Sequence, residues 1–321
     1  MANTGKAFSI KGTAIVNGSE LRSGDTIKEG DIIKTGANSS VKIIMKDRTV
    51  LDISENTRFE ITKYSYNREE PAKNKSSFRL LKGAFRYISG LIAKNRPQNI
   101  QISVGTATIG VRGSFDTISF DGTTISVDTS ISTAIITLAN GETITITSDS
   151  TGTFNVSTGQ SSVKPNTTTD PVSQAAIDIA ANPDDPAAIA QALSNLSDAD
   201  AIVAIAALIN NAGHLGVDDS ALLSSAIGNA AAAIPGLAAA LAYVGSALSP
   251  DNSQAIVDAI TKAAPDQADA IQAAGGSGTN LADPPSSTGT DTGTGAGAGA
   301  GAGSGSGGGG GGGGTAVSDV P

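Results

Sequence analysis

The chain has 321 residues with a net charge of −9, no Cys, no Trp and a single His, His214. Disulfides, thiol nucleophiles and Cys/His zinc sites are therefore excluded, and Ser-His-Asp chemistry is left with one candidate residue. The charge is divided: up to Arg112 there are 19 Lys and Arg against 10 Asp and Glu, and from Gly113 onward 2 against 20. The acidic half is not expected to bind nucleic acid.

In chain order, residues 1–7 read as an N-terminal extension without the apolar run of a secretory signal. Residues 8–163 read as strands. In "SVKIIMKDRTVLDIS", Val41, Ile43 and Met45 alternate with Lys42 and Lys46, the chain turns at Asp47-Arg48, and Leu51 and Ile53 resume the pattern. "DGTTISV" and "NGETITIT" each begin with a tight-turn pair, Asp121-Gly122 and Asn140-Gly141. Short strands punctuated by such turns argue for an all-β domain, partly solenoid-like or sandwich-like.

Within it, Gly24-Asp25 and Gly30-Asp31 repeat at a spacing of six. Each pair suits a turn with glycine at positive φ and the carboxylate accepting local N–H bonds; a ligand or metal role is the alternative. The stretch "YNREEPAKNKSSFRLLKG" carries Arg68, Lys73, Lys75, Arg79 and Lys82. It is either a solvated face or a contact patch for an anionic surface.

"GTATIGVRGS" superficially resembles a phosphate loop, but Val111-Arg112 stands where the Lys and hydroxyl residue belong, so nucleotide binding is not expected. Arg112 reads as a guanidinium reaching carbonyls or a carboxylate inside the β domain, with Gly110 and Gly113 marking close backbone approach. A ligand or partner contact is the alternative.

Residues 164–172, with Pro165 and Pro171, read as a linker, and residues 173–274 as an all-α, Ala- and Asp-rich region of short helices. Ile189, Leu193 and Leu196 recur at helical spacing, as do Ile202, Ile205, Leu208 and Ile209. Asp184-Asp185, Asp198 with Asp200, and Asp218-Asp219 fall at helix starts, where capping explains them better than calcium. His214 falls at a helix end. The uncharged window between Asp219 and Asp251 places Ile234, Leu237, Leu241, Val244 and Leu248 in one stripe, so a stable membrane span is not expected. Faces of Ala with one Ile or Leu per turn bury little area, which predicts a loose helical array. The Gly/Ala/Ser-rich stretch 275–321 cannot offset its ordering entropy and is expected to be disordered.

Taken together, "IKGTAIVNGSELRSGDTIKEGDIIKTGANSSVKIIMKDRTVLDISENTRFEI", "RLLKGAFRY", "IQISVGTATIGVRGSFDTISF" and "GETITITSDSTGTFNVSTGQSSV" resemble the FecR domain over residues 8–163. The matching positions are Gly24, Asp25, Gly30, Asp31, Thr35, Gly36, Gly83, Gly110, Arg112 and Gly113. The resemblance implies an all-β domain with an extracytoplasmic role. Founding members of the family are membrane-spanning regulators that pass a signal from an outer-membrane TonB-dependent receptor to a sigma factor.

The sequence given is not expected to hold the family's preceding anti-sigma segment, and helices are expected where the family has a receptor-contacting module. Val104-Gly105 replaces a Thr-Pro, and Ser114 a common threonine. The reading placed first is therefore a non-enzymatic binding or structural module of the cell envelope or exterior, without catalytic, cofactor or metal residues. A signal relay from receptor to sigma factor is the alternative. The expected partner is a protein or cell-surface polymer, with self-assembly through exposed strand edges also open. The expected location is outside the cytoplasm without an N-terminal signal, by a route similar to one-step type I export, the alternative being cytoplasmic.

Overall fold

The computed structural model describes residues 3–112, 115–131, 133–167 and 169–279, with Arg112 described by its backbone alone. The first half runs β1 (Asn3–Lys11), β2 (Ala14–Val16), β3 (Ser19–Glu20), β4 (Thr26–Lys28), β5 (Ile32–Thr35), β6 (Ser40–Met45), β7 (Val50–Ile53) and β8 (Arg58–Ser65). The long strand β9 (Lys75–Ile88), the short helix α1 (Leu91–Asn95), β10 (Ile100–Val104), β11 (Ala107–Arg112) and β12 (Phe115–Phe120) follow. Then come β13 (Thr124–Thr129), β14 (Thr133–Thr137), β15 (Thr143–Ile146), β16 (Ser150–Asn155) and β17 (Ser161–Pro165). The expected N-terminal extension is thus largely strand, since β1 pairs with β4 and β6 and buries Thr4 and Ala7.

β9 organises the strands because it belongs to two ladders. Residues 75–82 pair with β8 and, in parallel, with β10, whereas residues 83–88 pair with β7 and β12. One ladder runs β4-β1-β6-β7-β9-β12-β13-β16-β17 and the other β3-β2-β5-β8-β9-β10-β11-β14-β15. The crossing point is Gly83 at φ +93°, where a Cβ would lie 2.6 Å from the Thr57 Cα. Glycine alone suits both that φ and that approach.

Between the ladders lies an apolar core of alternating residues that includes Ile43, Met45, Leu51, Ile53, Phe59, Phe78, Phe85 and Tyr87. The Phe59 and Phe85 rings, from opposite ladders, sit 4.7 Å apart at 58°, a tilted contact favoured by aromatic quadrupoles.

The second half is helical: α2 (Pro171–Ala181), α3 (Pro186–Leu193), α4 (Asp198–Asn210), α5 (Ala212–Leu215), α6 (Ser220–Ala233), α7 (Ala238–Leu248), α8 (Ser253–Ala263) and α9 (Ala268–Thr279). Asp170, Asp185 and Asp219 cap α2, α3 and α6 by accepting N–H bonds of the first turn. Before α7, α8 and α9 the chain makes 3-10 turns at Pro235, Pro250 and Pro265, each preceded by a residue at φ near −131°. A proline turn followed by a helix thus recurs three times in succession.

The helices are not the loose array that their composition predicts. Their core is continuous with the outer face of the first ladder, where Phe8, Ile44, Val50, Ile88 and Phe115 meet Ile179, Ile205, Leu208 and their neighbours. The sheet supplies the broad apolar surface that Ala-rich faces lack, and small side chains let the helices approach closely. α9 also runs through Gly275 and Gly278 to Thr279, five residues into the stretch expected to be disordered. Both glycines abut neighbouring helices, Gly278 so closely on the Tyr243 carbonyl that no Cβ would fit. The remainder of that stretch, 280–321, lies outside the described residues. No single helix among the described residues is long and apolar enough to cross a membrane; α6 and the segment 235–248 qualify only together and are bent by 118°.

Candidate functional site

The two Gly-Asp elements fold into the same turn. Asp25 accepts from the Arg22 backbone N–H at 2.8 Å, and Asp31 from that of Lys28 at 2.7 Å, each three residues upstream. Gly24 and Gly30 take φ values of +94° and +87° between them. Asp31 also accepts from the Asn17 side chain at 2.8 Å, tying β5 to the β2–β3 turn. The Thr35 hydroxyl donates to the Ser54 carbonyl at 2.6 Å and accepts from the Thr57 N–H at 2.9 Å. These motif side chains hold turns: Asp25 and Thr35 bond to backbone groups, and Asp31 to a backbone N–H and the Asn17 amide.

A different set of residues makes a site. On β6, β7 and β9 the registers place Lys42 opposite Asp52 and Asp52 opposite Arg86, so the three form one cross-strand row on the outer face. Beside it runs the apolar row Ile44, Val50, Ile88 and Phe115. Asp52 bridges two cations: Oδ1 accepts from Lys42 Nζ at 2.8 Å and Oδ2 from Arg86 Nη1 at 2.8 Å.

The helical layer completes the row. Arg86 Nη2 donates to Asp170 Oδ1 at 2.7 Å, and Lys42 Nζ reaches Asp200 Oδ1 at 3.4 Å. The guanidinium also lies 5.5 Å from the Phe115 ring centroid, within cation–π range. The Lys42 side chain is 3% exposed.

Electrostatics follow from this burial. Desolvation opposes the Arg86 charge, but Asp52 and Asp170 outweigh it and raise its pKa above the ordinary value. Burial likewise works against the Asp200 carboxylate, yet the Ser197 hydroxyl and Lys42 hold its pKa below the usual range. An open cavity of about 310 Å³ adjoins the row, bordered by Lys11, Ser40, Lys42, Asp52, Arg86 and Asp200.

Sequence reasoning did not find this row. Alternation along the strand puts Lys42 on its polar side, while Ile44, an apolar residue on that same face, is the sequence signal that the face is covered. Asp47, read only as a turn residue, is fully buried; it accepts from the Thr49 and Tyr64 hydroxyls at 2.8 and 3.0 Å, while burial pushes its carboxyl up.

The residues of the expected contact patch belong to different elements and pairings. Lys73 pairs with Glu70 and Arg79 with Glu60, Lys75 and Lys82 lie along β9, and Arg68 belongs to a separate cavity beside β1. Arg112 ends β11 opposite Thr133, but its side chain and Gly113 lie outside the described residues. The close approach expected at Gly110 is absent: a Cβ there would meet nothing nearer than the Ile135 carbonyl at 3.9 Å, because the strand borders an open pocket. Likewise a Cβ at Gly36 would make only ordinary contacts. His214 is exposed on α5, before Gly216 at φ +75°, as its helix-end reading implies. Among the described residues no three His, Cys, Asp or Glu side chains gather as a metal site.

The model of the family described as FecR protein matches residues 31–131. That stretch runs from the second Gly-Asp turn past β13 and is narrower than the resemblance over 8–163. No curated protein matches the chain. Two crystal structures of a candidate anti-sigma factor from Parabacteroides distasonis are similar at 10% identity, with TM-scores of 0.36 and 0.35. Each comparison covers 42% of this chain and 59% of the other, so the chain spans about three fifths of the length of those structures.

Proposed function

We propose, for a chain that carries a FecR domain at residues 31–131, a non-enzymatic regulatory role exercised through protein contacts, in which binding at the β domain is relayed to the docked helical layer. The observation that supports this reading is the charged row at the junction. A relay needs an element with two arrangements whose balance a partner can bias. Docking satisfies Lys42 and Arg86 with Asp200 and Asp170; undocking returns the same charges to water. The free-energy difference between those states is a small remainder of large desolvation and pairing contributions, so a partner of ordinary affinity can tip it.

The binding or structural module of the cell envelope or exterior, placed first because the sequence departs from the family's plan, shares the FecR match but gives the junction no part to play. The relay has the FecR match and the junction behind it. Its proposed setting is outside the cytoplasm, with a protein partner; the family resemblance makes a TonB-dependent receptor and a sigma factor the pair to examine first.

The test joins fractionation of native cells to transcript profiling of a strain lacking the protein. The relay predicts an envelope-associated pool and a defined set of altered transcripts, restored by the wild-type chain but not by the Asp170→Asn, Asp200→Asn variant. Recovery from the medium with an unchanged transcript profile would overturn it.

A further inference from the structure

The cavity that holds Arg68 gathers positive charge from the chain's basic first half. It has a volume of about 300 Å³, within the lower range of small-ligand pockets. Lys6 of β1, Lys46 and Arg48 of the β6–β7 turn, and Tyr66 and Arg68 just beyond β8 line it, together with Pro250 of the turn before α8 and Thr279 at the end of α9. Four cationic side chains from three separate segments thus converge on one concavity.

The backbone fixes Arg48. Arg48 adopts φ +69°, its N–H donates to the Met45 carbonyl at 2.9 Å, and its own carbonyl accepts from the Asn210 side chain at 2.8 Å. Lys46 and Arg68 are exposed and Arg48 is half-buried.

Among the described residues, Arg48 feels charges of both signs. Asp251 acts on Arg48 and favours its charged form, but burial and the neighbouring Arg68 pull the Arg48 pKa down. Lys94 of α1 is lowered by burial and by Arg48 in turn. Asp47, beneath the turn, is pushed by burial towards its neutral form. Cations crowded in this way gain from an incoming anion that offers several oxygens at once.

We propose that this cavity binds a small polyvalent oxyanion of the phosphate class, with Arg48 and Arg68 as its paired guanidinium donors and Lys46 as a further cation. Arginine forks match tetrahedral oxyanions in a bidentate manner. The volume suits a ligand of one or two phosphoryl groups better than a macromolecule. This inference is independent of the relay.

The probe is inorganic pyrophosphate, titrated into the full chain by calorimetry at ionic strength held constant with sodium chloride. A saturable one-site heat is expected. Arg48→Met and Arg68→Met should each weaken binding at least about tenfold, the loss of one charge-assisted contact. Lys75→Met, on β9 outside the cavity, should leave binding unchanged. Absence of a saturable heat, or equal weakening by Lys75→Met, would overturn the proposal. Succinate binding as tightly as pyrophosphate would replace phosphate by carboxylate and overturn the assigned class. Circular dichroism checks each variant, and should Arg48→Met fail to fold, the exposed Arg68 decides the matter.

Discussion

Replacing Asp52 by Asn removes a carboxylate that contacts both sheet cations at 2.8 Å. Breaking a buried ion pair from one side costs about 3–5 kcal/mol, because the charge left behind stays desolvated. Here Lys42 keeps Asp200 at 3.4 Å and Arg86 keeps Asp170 at 2.7 Å, so the loss belongs at the lower end, about 3 kcal/mol. At roughly 2–4 °C per kcal/mol for a chain of this size, the melting temperature should fall by about 6–12 °C. Thermal and urea unfolding followed by circular dichroism measure both quantities.

The companion variant Lys42→Met, Asp52→Leu, Arg86→Met removes the row's sheet charges together. It should cost less than Asp52→Asn alone, because the partly exposed Asp170 and Asp200 can rehydrate. A loss under about 1 kcal/mol for Asp52→Asn, or a larger loss for the triple variant, would refute the view that Asp52 is an obligatory bridge.

Gly83→Ala should destabilise by more than about 2 kcal/mol in urea unfolding, since φ +93° and the Thr57 backbone both oppose a Cβ; wild-type stability would contradict the crossing-point role. Gly110→Ala should shift stability by less than about 1 kcal/mol, as the space beside that strand is open. Asp200 has a pKa lowered in the folded state, so its contribution is present above the unfolded value of about 3.9 and disappears as pH falls through the folded value. The stability gap between wild type and Asp200→Asn should therefore be open at neutral pH and close in acid below about pH 4; a gap of equal size at both ends would count against the Lys42 contact.

Local chemistry was legible in the sequence. Asp121-Gly122 forms its turn with the carboxylate accepting the Thr123 and Thr124 N–H groups at 2.7 Å, and Asp170, Asp185 and Asp219 cap helices as their positions imply. Such features depend on residues two or three apart. The junction depends on residues 84 and 158 apart, Arg86 with Asp170 and Lys42 with Asp200. Alternation along β6 records which side of the strand Lys42 occupies. It does not record whether water or a helix lies there. The same limit explains α9: glycine reads as a helix breaker until the neighbouring Tyr243 carbonyl shows why no larger residue fits.

The arrangement of the two rows also bears on why charge is retained where apolar packing alone would hold. Ile44, Val50, Ile88 and Phe115 supply the area-dependent attraction, which is indifferent to small shifts of a helix along the sheet. Asp170 is not indifferent. Its Oδ2 accepts from the Ser173 N–H at 3.0 Å and so caps α2, while its Oδ1 takes the Arg86 guanidinium at 2.7 Å. One carboxylate therefore couples the start of the first helix to a single position on β9. Pulling α2 from the sheet strips Arg86 of a partner, and fraying its first turn releases the cap that orients the carboxylate. Folding of α2 and docking of the helical layer are thus linked through one side chain, the kind of coupling through which a partner gripping either element would be felt by the other.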